Sequence, residues 1–173
     1  MIKIISNRVG SIMKEREKLE ELLKVKLSNR GKEIYIEGPS LEEYEAEKVI
    51  DAMSFGFKQE TALMIKENEL SLEILNIKDH TTRKDLKSVR ARIIGTERKT
   101  LKTLTQLTDC FFEVRNNEVG IIGSAENMKK AQDAVISLIK GSKQANVYSF
   151  LEKHQPKPIL DLGLKDPEKD IDL

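Results

Sequence analysis

The stretch "SVRARIIGTERKTLKTL", Ser88 to Leu104, decides how this chain is read. A basic segment runs into Ile93, Ile94 and Gly95, a short polar link follows, and a second segment carries Leu101, Leu104 and Leu107 at helical spacing. The pattern predicts two helices meeting at a corner, with Gly95 supplying backbone angles that residues bearing a Cβ rarely adopt. Arg83, Lys84, Lys87, Arg90, Arg92, Arg98, Lys99 and Lys102 crowd the same region against only Asp85 and Glu97. A polyanionic partner would meet the protein here, although a charge run taken alone reads more readily as a solvated helix face.

The net charge of +1 over 173 residues conceals this concentration. Residues 1–68 hold 12 basic and 13 acidic side chains, residues 78–155 hold 15 and 9, and residues 156–173 hold 3 and 5. The chain has room for one medium domain or two small ones. Its composition predicts a soluble cytoplasmic protein, with no apolar run of the roughly 20 residues needed to cross a membrane. Cys110 has no second cysteine to pair with, and His80 and His154 stand alone, so the sequence offers no disulfide, metal spacing or catalytic imidazole. No cofactor is implied, and the scattered carboxylates show no shared cleft. The expectation is a protein without catalysis.

Self-comparison gives the architecture. "IYIEGPSLEEYEAEKVIDAMSFG" (34–56) lies without gaps on "VGIIGSAENMKKAQDAVISLIKG" (119–141). Upstream, Glu15 and Arg16 fall on Glu97 and Arg98, with Leu19 and Leu22 on Leu101 and Leu104. Each copy spans about 70 residues, a small domain. Each reads as strand, helix, helix, strand, strand, helix. Ser40 or Ser124 is placed to cap the last helix, and Gly56 or Gly141 to end it. Met128, Ala131, Ala134, Val135 and Leu138 form the inward stripe of that helix in the second copy. The fold class is therefore α+β, with two three-stranded sheets covered by helices. The expected divisions are 1–68 for the first unit with its linking helix, 69–155 for the second unit with a final helix, and 156–173 for an acidic flexible tail. In the final helix Val147, Phe150 and Leu151 share the apolar face.

This order, with Ile-Gly-x-x at the corner, resembles the type I KH module. The tandem copies, "GFKQETAL" between them, "SVRARIIG" before the corner, "IIGS" in the last strand and "VYSFLEK" near the end resemble the archaeal tandem-KH RNA-binding proteins. These are relatives of the small-subunit ribosome assembly factor called the partner of the Nob endonuclease, or Dim-type factor. The resemblance covers about residues 1–155. It implies binding of single-stranded RNA in maturation of the small-subunit rRNA 3′ region, with the Nob-type endonuclease and a translation initiation factor as partners. In a KH module the corner clamps the backbone of about four nucleotides. Carried over, the corner is Gly95, Thr96, Glu97 and Arg98; the groove draws on Ile94, Leu101, Leu104, Phe112 and Val114; Arg90, Arg92, Lys99 and Lys102 flank the phosphates.

One position departs from the pattern. The family has Gly-x-x-Gly, and this chain has Arg98 in place of the second glycine. Arg98 would either hold phosphate through its guanidinium fork or obstruct the approach. The first copy has no glycine in its corner, "MKER" (13–16), and its second helix is acidic, which points to support or protein contact. The rival reading from another class is a protein–protein adaptor built on two degenerate KH folds with little RNA affinity.

Overall fold

The computed structural model describes residues 1–155, so the acidic tail expected at 156–173 lies outside the described residues. The first half runs β1 (Ile2–Ile5), α1 (Val9–Lys14), α2 (Arg16–Leu23), β2 (Lys26–Arg30), β3 (Glu33–Glu37) and α3 (Ser40–Phe55), then α4 (Gln59–Glu67). The second runs β4 (Ser71–Asn76), α5 (Leu86–Ile94), α6 (Lys99–Thr108), β5 (Phe111–Arg115), β6 (Glu118–Gly123), α7 (Ala125–Lys140) and α8 (Gln144–Lys153). Single 3₁₀ turns at Ile77–His80 and Thr96–Arg98 flank α5.

Each half forms a three-stranded antiparallel sheet, ordered β1-β3-β2 and β4-β6-β5. Leu27 pairs with Ile36 in the first, and Phe112 with Ile121 in the second. The gapless alignment equates Ile36 with Ile121, so the registers coincide and Ser28 is the counterpart of Glu113.

Local chemistry accounts for several helix ends. The Ser124 hydroxyl accepts from the Asn127 amide and caps α7, while Gly141 stops it with a left-handed backbone. Ser40 does not act as its counterpart: it is the first helical residue, behind Pro39, and no side chain caps α3 there. Instead the Glu43 carboxylate accepts from the Gly38 amide and pairs with the N-terminal ammonium. Leu19 and Leu23 face the core of α2 whereas Leu22 is exposed, so the second leucine of the repeat shifts by one residue. Phe150 is also exposed and lies against His154, leaving Val147 and Leu151 as the buried face of α8.

Strand β6 joins the two halves. Val119 and Ile121 belong to the second half's apolar cluster, while Ile122 packs into the first. Gly120 makes the close contact: a Cβ there would come within 2.7 Å of the Phe55 ring and 2.9 Å of Phe57. Its bare backbone therefore seats two aromatic rings of the first half against the second sheet. The Arg115 guanidinium adds bonds to the carbonyls of Ser54 and Phe55, acceptors that the end of α3 would otherwise leave open. The halves are docked through an apolar interface, which buries the central strand β6 on both faces while edge strand β4 stays largely exposed.

Candidate nucleic-acid interface

The corner is built by α5 and α6. Asp85 caps α5, its carboxylate accepting from the Ser88 amide at 3.2 Å and hydroxyl at 2.6 Å. Val89 and Ile93 anchor the helix in the core. Gly95 then ends it at φ 74, ψ 169, a conformation essentially reserved for glycine. Space enforces the same choice, since a Cβ on Gly95 would sit 2.2 Å from Thr100 Oγ1 and 2.7 Å from the Thr100 amide. Thr100 is buried, and Gln144 of α8 donates to its hydroxyl and to the Arg92 carbonyl, both at 3.0 Å. One amide side chain thus ties both corner helices to α8.

Past Gly95 the chain takes an unusual path. Glu97 (φ 53, ψ 32) and Arg98 (φ 62, ψ 21) are both left-handed, at about 1–2 kcal/mol each for residues with a Cβ. The backbone therefore keeps the form a second glycine would favour, although arginine occupies the position. Thr96, Glu97, Arg98 and Lys99 are exposed. Among the described residues no backbone carbonyl pairs with the amides of Thr96 and Glu97. The corner thus offers open donors at the positive end of α6.

The flanking residues divide sharply. Lys99 and Lys102 are exposed and, among the described residues, form no ion pair. Arg90 and Arg92, expected on phosphate, are engaged elsewhere. Arg90 donates to the Asn116 carbonyl and the Asn117 side chain at 3.1 Å each, bracing the β5–β6 turn. Arg92 donates to the carbonyls of Leu138 and Ser142, around the C-terminus of α7. The expected groove floor also needs correction: Leu101, Leu104 and Phe112 are core residues at 4%, 0% and 6% exposure. Ile94 and Val114 remain partly open and are the apolar side chains a base could touch.

The sequence reading missed Glu113. On β5, its carboxylate oxygens lie 3.3 and 3.2 Å from Arg98 Nη2, bridging corner and strand. It also missed Gln144, whose role has no local signature.

The first half has no such corner. Glu15 alone separates α1 from α2, its φ of −99 and ψ of 14 are ordinary, and its amide bonds the carbonyl of Ile12 at 3.1 Å. Arg16 turns to Glu20 on its own helix at 2.9 Å.

Comparisons with known proteins agree with this fold. The family model of the eukaryotic-type KH domain (KH-domain type I) matches residues 71–156. A KH domain-containing protein of Methanocaldococcus jannaschii is 29% identical over 168 residues, covering 91% of this chain and 74% of that protein. A pre-rRNA-processing protein PNO1 of Yarrowia lipolytica is 31% identical over 105 residues, covering 59% of this chain and 41% of its own length. Residues 71–156 thus match a type I KH domain, and the chain is similar to archaeal KH and PNO1 proteins. The fold of the chain also matches Dim2p in the a/eIF2alpha–aDim2p–rRNA complex of Pyrococcus horikoshii, with a TM-score of 0.78, 24% identity, and coverage of 88% and 92%. The chain spans less than half of the Yarrowia relative it matches.

Cys110 is buried and burial pushes its thiol up, so it serves as a small apolar residue. His154 Nδ1 lies 2.7 Å from the Phe150 carbonyl at the end of α8. Among the described residues no His, Cys, Asp or Glu cluster could hold a metal, and no helix is long and apolar enough to cross a membrane.

Proposed function

We propose that the chain is a non-catalytic binder of single-stranded RNA that acts in processing of the small-subunit rRNA, near its 3′ end, through the corner at Gly95–Arg98. The observation that carries this reading is the corner backbone: glycine-like at Glu97 and Arg98, with open amides and Lys99 and Lys102 on the following helix. Phosphates meet unpaired N–H groups and cations there, while Ile94 and Val114 offer apolar contact to the bases. The relatives supply the setting, one named for pre-rRNA processing and another crystallised with rRNA and an initiation factor subunit. On this reading the protein partners are a translation initiation factor and, by the family resemblance, a Nob-type endonuclease. The working division is 1–68 for support and 69–155 for RNA.

The first half favours an adaptor's role on one observation: its corner is a single residue whose amide is already bonded. On this reading RNA has no open amide to hold at Glu15.

The test is titration of the full chain with a labelled single-stranded oligonucleotide of the rRNA 3′ end. Contact with about four phosphates gives a slope of log affinity against log salt near −3. The triple variant R98E/K99E/K102E should lose binding and keep its fold, since all three side chains are exposed. Gly95 is unsuitable for this purpose, because any Cβ would collide with Thr100. Absence of binding at low salt would leave the adaptor reading for the whole chain.

A further inference from the structure

We infer that Glu113 is a built-in stand-in for phosphate: it positions the Arg98 guanidinium in the free protein, and a bound RNA strand takes the guanidinium over. The inference rests on the reading above that the corner meets an RNA backbone. Both carboxylate oxygens lie within hydrogen-bonding reach of Arg98 Nη2, at 3.3 and 3.2 Å. A phosphate presents guanidinium with the same kind of charged oxygen pair. Glu113 therefore holds Arg98 by the chemistry its ligand would use, across the gap between corner and β5 where the strand would pass.

Three observations support exchange over a fixed closure. The pair is open to solvent, with side-chain exposures of 52% for Arg98 and 25% for Glu113, so it is a weak latch. The left-handed backbone takes Arg98 off the helical path: Arg16 in regular α2 reaches four residues along its own helix, whereas Arg98 crosses to a strand. Finally, the acid and the crossing arginine occur together in one copy only. The first sheet has neutral Ser28 at the position of Glu113, and its Arg16 is held locally. The bridge accompanies the open corner and is missing where the corner is closed.

The inference is tested by fluorescence anisotropy with a 5′-labelled single-stranded RNA at low salt, comparing wild type, E113Q, R98Q and R98Q/E113Q. Freed from competition, Arg98 in E113Q should bind RNA about 1.5- to fivefold more tightly, the range that a surface pair represents. R98Q should weaken binding, more in the E113Q background than in the wild type by that same factor. It should lower the salt slope by about 0.7 in both backgrounds. Unchanged or weaker binding by E113Q would overturn the inference, since Arg98 would then stay on Glu113 or the pair would serve only the fold. Equal losses from R98Q in both backgrounds would also overturn it, showing that Glu113 merely repels the strand. Wild-type protein that ignores RNA altogether would remove the RNA reading itself, and this inference with it.

Discussion

The two corners of this molecule start from similar plans and end as different objects. In the first half α1 and α2 are separated by Glu15 alone, whose amide is bonded and whose angles are unstrained. In the second half Gly95 breaks the helix, two left-handed residues follow, and α6 begins with exposed cations. Both corners are covered from behind by a long helix, α3 or α7, over a sheet of the same register. What differs is whether backbone donors are spent inside the fold or left at the surface. A corner can serve as support or as a grip, and four residues decide which.

The strongest way to break this contrast is at the glycines. Replacing Gly95 by alanine should destabilise the protein by about 2–4 kcal/mol, combining a backbone region closed to alanine with overpacking against Thr100. Gly10 lies inside α1 with open space around it, and its replacement by alanine should stabilise by about 0.5–1 kcal/mol. Chemical denaturation of the two variants measures both, and equal effects would erase the distinction.

Charge removal gives the next effect. K99Q/K102Q should weaken RNA binding on the order of tenfold and reduce the salt slope by about 1.4, since each lysine releases one counterion from a single strand. The parallel change E17Q/E21Q on α2 should leave RNA affinity and slope where they were. An equal response to both would mean that overall charge, rather than the corner, attracts the RNA.

Arg98 separates strain from grip. R98G should relieve a left-handed residue and raise stability by about 1 kcal/mol, while forfeiting the cation. Thermal melts together with the salt slope resolve the two contributions, and a less stable R98G would show that the Glu113 bridge outweighs the strain.

The smallest effect is in acid. The Leu27 amide holds the Glu20 carboxyl below its usual range, with the Arg16 pair adding to this. A carboxylate lowered on folding contributes stability above its unfolded value of about 4.3, and that contribution is lost as pH falls through the folded value. E20Q should therefore lose stability at neutral pH and show a shallower decline in acid, followed by circular dichroism. An unchanged acid profile would show that the Glu20 carboxylate does nothing for the first corner.

Much of this molecule is legible without coordinates because its signals are local. The stripe from Met128 to Leu138, the stops at Gly56 and Gly141, and the break at Gly95 each follow from residues within a turn or two. Failures arise where neighbours are remote. Arg90 and Arg92 look identical to Lys99 and Lys102 in a charge count, yet carbonyls at Asn116 and Leu138 claim them. Leu22 and Leu23 are interchangeable in periodicity until the sheet beneath selects one. Glu113 alternates correctly along β5, and only the arrival of Arg98 from the corner gives it a task.

The order of strands and helices, the doubled unit and the place of the break were thus set by hydrophobic spacing and by glycine's missing side chain, which act over a few residues. Which cations remain open to a ligand, which leucines form floor rather than surface, and which acid holds Arg98 were decided by packing. Those outcomes depend on donors and acceptors that meet only when segments far apart in the chain are brought within about 3 Å of each other.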